Sequence, residues 1–259
     1  MGKNIRKRWT REETILAFNL YCKLPFTKIS KNNIEIIELS NLIGRTPSSV
    51  AFKLANLASF DPELQKRKIS GLTHTSKLDS EIWVQFSNNL EELAYQTQII
   101  LSKFNNNFIT EIDLKEIKLI PEGLYKESLI RTRIGQTFFR KTVLNSYRNK
   151  CCITGLNNPK LLIASHIKPW KDSDEKNERT NPSNGLSLNP FHDKAFDSGL
   201  ITINKEFQVI ISSKLIDTKM DNETINWLKS YNKKKILLPD KFFPGESFIE
   251  YHNDVVFKN

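Results

Sequence analysis

The chain has 259 residues, 39% of them hydrophobic and 26% charged, which is the composition of a folded globular protein with material for one large core or two small ones. No run approaches the roughly 20 apolar residues of a membrane span, the opening MGKNIRKRWTREET lacks the apolar core of a secretory signal, and Cys22, Cys151 and Cys152 make neither a disulfide framework nor four zinc ligands. The excess of 39 Lys and Arg over 29 Asp and Glu, a net charge of +10, favours a polyanionic partner such as nucleic acid, and the expected compartment is the cytoplasm.

Three helical patterns fill the first sixty residues. Thr10 can cap the first, where Glu12 and Glu13 suit the positive amino end, and Ile15, Leu16, Leu20 and Leu24 form a stripe before Pro25. The second covers about 33–43, with Ile34, Ile37 and Leu42 expected inward and Gly44 as its stop. In the third, Thr46 is the cap and Pro47 the first helical residue; Val50, Leu54 and Leu57 recur on one face, leaving Ser48, Ser49, Lys53 and Asn56 outside. Two helices joined by a tight Gly-Arg-Thr-Pro turn fit a helix-turn-helix, with Arg45, Ser48, Ser49 and Lys53 as candidate DNA contacts, and a three-helix packing module fits the same pattern. The stretch RWTREE resembles the opening of Myb/SANT-like domains.

A further helix, capped by Ser76 or Asp79, carries Ile82, Trp83, Phe86, Leu90 and Leu93, and His74 falls in its polar lead-in as a loop residue. The pattern weakens over 105–123, with one or two possible short strands, and the domain boundary is placed there. The resulting division is a helical DNA-recognition domain over 1–103, a linker over 104–129 and a second domain over 130–259 with its core at 147–203. The second domain opens on a basic amphipathic helix over 130–147, with Phe138, Phe139, Val143 and Leu144 inward and Arg133, Arg140 and Lys141 open to phosphates. Strand-like runs at 152–154 and 161–164, separated by Gly-Leu-Asn-Asn-Pro, read as a hairpin.

His166 follows the second run and precedes a long polar loop that ends at Asn184-Gly185. A short strand at 186–188 leads into NPFHDKAFDSG, where Pro190 can start a helix and Gly199 can end it. On that helix Asp193 and Asp197 share a face, an arrangement that repels unless a cation lies between the carboxylates. His192 sits about 100° round the helix from Asp193. Together these residues fit a metal-assisted phosphodiesterase, in which a neutral histidine activates water. Each part alone also has an ordinary structural use.

The string CCITGLNNPKLLIASHIKPWKDSDEKNERTNPSNGLSLNPFHDKAFDSGLITI resembles the HNH endonuclease family, in a restriction-like branch carrying C-x-T-G, A-S-H-I-x-P-W, N-G-L and H-D-x-A-F-D-x-G-L. The resemblance spans about 135–203, with looser similarity at SFIEYHNDVVF. It implies a ββα-metal fold and an overall α+β class. It implies His166 as general base, Asn184 as the residue that fixes the loop, and Asp193 and Asp197 as ligands of Mg²⁺, Mn²⁺ or another divalent cation, with no structural zinc expected. His192 is the rival of Asp193, and Ser165 stands where relatives often carry a stronger ligand. Arg179 is a candidate phosphate clamp, Lys168 and Lys171 are further backbone contacts, Trp170 anchors the loop, and His252 is structural in a strand-like tail. The expected function is a restriction-type endonuclease acting on double-stranded DNA, with a homodimer as the simplest route to double-strand cutting. The alternatives are a regulator whose HNH domain is inactive and a homing or toxin nuclease of low specificity.

Overall fold

Thr10 begins α1 (Arg11–Lys23) with a complete capping box: its hydroxyl accepts from the Glu13 N–H at 3.1 Å while the Glu13 carboxylate accepts from the Thr10 N–H at 2.9 Å. Asn33 caps α2 (Ile34–Ile43), which Gly44 ends in the left-handed conformation, and Thr46 with Pro47 begins α3 (Pro47–Ala58). A short α4 (Pro62–Lys66) follows, capped by Asp61, then α5 (Lys77–Phe86) with a second capping box from Ser76 and Asp79. The single helix expected over Ile82 to Leu93 is two, because Asn89 caps a new one, α6 (Leu90–Asn105). The computed structural model describes residues 7–68, 75–105 and 124–259; His74 and the possible strands of 106–123 lie outside them.

In this first unit α1 packs against α2, α3, α5 and α6, and is buried over nearly its whole circumference from Glu13 to Cys22. Val50, Leu54 and Leu57 are fully buried on α3, each such side chain contributing about 1.5–3 kcal/mol by leaving water. On α2 the inward face is Ile36, Ser40 and Ile43, while Ile34 is 69% exposed. That helix carries apolar residues on several faces, so its periodicity does not select the buried one. Lys53, expected outside, is buried: its ammonium pairs with Asp79 and lies 4.7 Å from the Trp9 ring centre. The capping aspartate of α5 supplies a partner that a helical wheel of α3 alone does not show.

Contacts divide the chain into units 1–135 and 136–259, a division that falls within α7 (Leu124–Ser146). From Phe138 to Leu144 the apolar residues that the amphipathic pattern places inward on α7 are buried, and so is Thr142. Phe139, Val143 and Leu144 meet a core with Cys152, Leu162, Ile167, Leu186, Leu188 and Phe196. The hairpin is not the one expected. Residues 152–154 form a turn, and β1 (Ile163–His166) pairs antiparallel with β2 (Gly185–Leu188), so that His166 stands opposite Gly185. The Cys152 N–H instead donates to the Ser187 carbonyl at 2.7 Å, which docks the turn beside β2.

Next come α8 (Pro190–Asp197), capped by Asn189, and a second hairpin of β3 (Ile201–Ile203) and β4 (Val209–Ile211). Short helices α9 (Ser213–Ile216), α10 (Asn222–Lys229) and α11 (Glu246–Tyr251) follow. The chain then passes through a π-helical turn, His252–Val256, where the sequence reads as strand. The described residues therefore form an α+β fold, with a helical first unit and, in the second, a β-hairpin packed on α8.

Candidate active site

His166 ends β1 with its ring stacked on Phe139, 3.9 Å between centres and 10° between planes, and with the edge of Trp170 beside it. Its Nε2 lies 2.9 Å from the Arg179 carbonyl oxygen. A carbonyl only accepts, so the proton sits on Nε2 and Nδ1 carries the free lone pair. Burial lowers the pKa below 6.5, against a smaller upward pull from the Arg179 carbonyl, so the ring is neutral and able to take a proton at neutral pH. Gly185 makes this stack possible: a Cβ there would stand 2.5 Å from Val143 Cγ2 and 2.9 Å from Phe139 Cζ.

Asn184 is fully buried and ties down the loop that leaves His166. Its Oδ1 accepts from the Lys168 N–H at 2.7 Å, and its Nδ2 donates to the Lys168 carbonyl at 3.1 Å and the Ser173 hydroxyl at 3.2 Å. Its own carbonyl accepts from the Ile167 N–H at 2.9 Å. One side chain thus fixes both directions of the backbone at Lys168, two residues past His166.

Asp193 and Asp197 come from α8, and both line a cleft of about 710 Å³ together with Ser165, His166, Trp170 and Lys171. Desolvation raises the pKa of Asp193, partly offset by Ser165 and Lys194. Desolvation and then the Asp193 charge raise that of Asp197. The Ser165 hydroxyl is buried and completes no hydrogen bond of full geometry, yet lies near enough to Asp193 to draw its pKa back down. Two carboxylates that are costly to ionise, beside an unsatisfied hydroxyl, form an all-oxygen donor set that fits Mg²⁺ or Mn²⁺. Among the described residues no group of three or more His, Cys, Asp and Glu converges. Mg²⁺ commonly rests on one or two carboxylates, with substrate and solvent completing its shell.

His192 is not part of this cleft. Its ring packs with Phe191, Trp227 and Tyr231, its Nδ1 is 3.0 Å from Asn189 Oδ1, and burial lowers its pKa to about 4. Of the two rivals for the metal, Asp193 faces the cleft and His192 faces away from it.

The expected phosphate contacts divide. Lys171 lines the cleft and is exposed. Lys168 is engaged with Glu178 at 2.6 Å and lies over the Tyr251 ring. The Arg179 guanidinium sits over Trp170 and 3.8 Å from Glu175, its main-chain carbonyl being the part that touches His166. Arg133 and Arg140 are exposed on α7. In the first unit Ser48 is exposed and Ser49 partly so, while Arg45 is withdrawn: it pairs with Glu13 at 2.7 Å, donates to the Lys7 and Arg8 carbonyls, and covers Trp9. Arg45 and Lys53, predicted to meet DNA, are thus committed to internal pairs. Each is a long cation whose acidic partner lies on another element, which the local sequence does not show.

Sequence reasoning missed the wall of the cleft formed by Val255, Val256 and Lys258. Gly199, at φ 72°, admits that wall, since a Cβ would stand 2.0 Å from the Val256 carbonyl oxygen. The Lys258 N–H donates to the Gly199 carbonyl at 2.8 Å, and the Ser212 hydroxyl donates to the Lys258 carbonyl. His252 pegs the wall to α8, its ring 3.7 Å from Phe196, Nε2 donating to the Phe196 carbonyl and Nδ1 accepting from Thr202. The looser similarity at SFIEYHNDVVF was the available signal.

Residues 151–204 match the family model of the HNH endonucleases, which bears out the resemblance read from the sequence over that segment. The matched segment contains His166, Asn184, Asp193 and Asp197 and supplies most of the cleft's lining, while Val255, Val256 and Lys258 lie beyond it. A solved structure titled as a modification dependent TagI restriction endonuclease is similar at 18% identity and a TM-score of 0.32, covering 46% of this chain; the chain spans 37% of that one. No curated protein matches the chain.

Proposed function

We propose that this chain is a divalent-metal-dependent DNA endonuclease of restriction type. The observation that carries the reading is the meeting in one cleft of three residues of the HNH-matching segment, a neutral His166 with Nδ1 free and the Asp193 and Asp197 carboxylates.

In this reading His166 Nδ1 takes a proton from the attacking water, and the positive charge it gains is eased through Nε2–H to the Arg179 carbonyl. Asn184 holds the loop so that this carbonyl and the ring keep their alignment. Asp193 and Asp197, helped by Ser165, would hold a divalent cation, which when bound neutralises charge on the scissile phosphate. Lys171 and Lys258 bring further positive charge to the mouth of the cleft, where the phosphates on either side would lie.

The helical first unit would choose where the second docks, offering Ser48, Ser49 and the exposed surface of α3. A regulator with an inactive nuclease domain is the less favoured reading, because His166, Asn184, Asp193 and Asp197 are all present. The test is digestion of several plasmids, unmodified and cytosine-modified, with Mg²⁺ or Mn²⁺. Discrete fragments shared between preparations support a restriction enzyme, and cutting confined to modified DNA names its trigger. Random nicking of every plasmid contradicts it in favour of a low-specificity nuclease, and binding without cutting contradicts it in favour of the regulator.

A further inference from the structure

Helix α8 has a second face with no part in the cleft. Phe191 and His192 lie on it and meet Trp227 of α10 and Tyr231 just beyond, the ring centres 5.3–5.5 Å apart and mostly edge to face. The interlocked rings hold one another in place, yet Phe191 stays 44% exposed and Trp227 39% exposed. Large aromatics left in water beside one another mark a contact surface more often than an accident of packing.

The segment that follows Tyr231 is basic, whereas exposed Glu223 stands one turn before Trp227 on α10. Lys233, Lys234 and Lys235 are all exposed, and among the described residues no acidic side chain pairs with them. The Lys234 ammonium lies 5.8 Å from the Tyr231 ring centre. The backbone under the run is fixed against β4 and the turn before it: Lys233 N–H donates to the Val209 carbonyl at 2.7 Å, Val209 N–H to that of Lys234 at 2.9 Å, and Ile236 N–H to that of Phe207 at 2.9 Å. Three lysines on a pinned segment beside exposed rings present positive charge from a backbone already ordered before binding.

That charge decides between occupants. A second copy meeting this face across a two-fold axis would bring two lysine runs together, whereas a nucleic-acid strand offers phosphates to the lysines and bases to the rings. We infer that the patch is a second DNA contact, where a base freed from the duplex lies against Phe191 and Trp227 while Lys233 to Lys235 hold phosphates of the same strand. The inference rests on the reading of the chain as a DNA endonuclease. Because Asp193 and the patch share α8, the contact would fix the strand relative to the cleft through one short rigid helix.

The test uses the whole chain in EDTA with two probes, an oligothymidylate and a duplex of equal length, read by anisotropy and tryptophan fluorescence. Phe191→Ser, Trp227→Leu and the triple Lys233→Glu, Lys234→Glu, Lys235→Glu are compared with wild type, each checked for its melting transition and mass in solution. The expected result is quenching of wild-type fluorescence by oligothymidylate, smaller in Trp227→Leu, and a loss of about tenfold in affinity for that probe in either aromatic variant, the scale of one stacked base. The triple variant should weaken both probes and flatten the salt dependence. Phe191→Ser and the triple variant change exposed positions, so the outcome stands even if Trp227→Leu fails to fold. Unchanged oligothymidylate affinity in folded variants, while wild type still cuts DNA with Mg²⁺, overturns the patch alone. A wild-type dimer that these substitutions dissociate, with affinity unchanged, overturns it in favour of a second copy. A wild type that neither binds nor cuts DNA overturns the endonuclease reading as well.

Discussion

The tautomer of His166 follows from one contact, the Arg179 carbonyl at Nε2, and it makes the role of the ring testable. His166→Ala should leave metal-free DNA affinity close to wild type while lowering the single-turnover rate by roughly 10²-fold or more, the usual scale for a general base, and should lower the melting temperature through loss of the Phe139 stack and the Arg179 bond; a comparable loss of affinity would show a binding role instead. The two carboxylates invert the ordinary stability argument. Both have raised pKa values from desolvation, so in metal-free protein at neutral pH their charges oppose folding. Asp193→Asn and Asp197→Asn should therefore each melt at a higher temperature than wild type without metal, and each should lose the rise that Mg²⁺ or Mn²⁺ gives the wild type. Calorimetry with and without EDTA reads both effects, and a wild-type transition indifferent to divalent ions would count against these ligands.

Several helix boundaries were legible because their causes are local, although the equally local Asn89 cap between α5 and α6 was not. Thr10 with Glu13, Thr46 with Pro47, and Pro190 with Gly199 each announce a start or stop within a few residues, and each proved correct. Strand partnership was not legible: Gly-Leu-Asn-Asn-Pro imitates a hairpin turn, but β1 finds β2 across the polar loop because Asn184 braces that loop from its far end. Lys53 was misplaced for a similar reason, its partner Asp79 being 26 residues away. Lys53→Ala should accordingly destabilise the first unit by about 3–5 kcal/mol, the scale for stranding one member of a buried ion pair. Chemical unfolding checks this, and a folded variant of wild-type stability with altered DNA affinity would return Lys53 to the recognition surface. The His252 peg gives the wall a pH dependence of known sign. Burial lowers its pKa from 6.5 to about 4, so between those values the unfolded chain holds the proton more tightly. Stability from this group is full above pH 6.5 and is lost as the pH falls toward 4. The same burial gives His192 the same sign. Urea midpoints across that window should fall with acid, less steeply in His252→Phe, and an unaltered slope in the variant would remove His252 from the account.

At the scale of the whole molecule, the +10 charge and the basic residues around cleft and patch predict binding dominated by phosphates. Metal-free affinity for duplex DNA should fall steeply and linearly on a log–log plot as salt rises, with a slope of about −0.9 for each phosphate neutralised. Lys171→Ala and Lys258→Ala should each reduce that slope, and an affinity indifferent to salt would point away from a nucleic-acid substrate. No helix among the described residues is long and apolar enough to cross a membrane. The candidate site itself was largely legible: His166, Asn184, Asp193 and Asp197 stand in a short stretch whose motifs carry the family signal. The wall at 255–258 was not, because it is held at the cleft by Gly199, Ser212 and Phe196, partners more than forty residues away in the sequence.

The proposed mechanism joins, in one cleft, a neutral His166 base to a divalent ion that Asp193 and Asp197 would hold. Its most direct test is single-turnover cleavage of plasmid DNA by wild type, His166→Ala and Asp193→Asn, each in Mg²⁺, Mn²⁺ and EDTA. The account predicts cutting by wild type only with metal and near-complete loss in both variants while their DNA binding in EDTA is retained. Equal cleavage in EDTA, or full activity in His166→Ala, would contradict it.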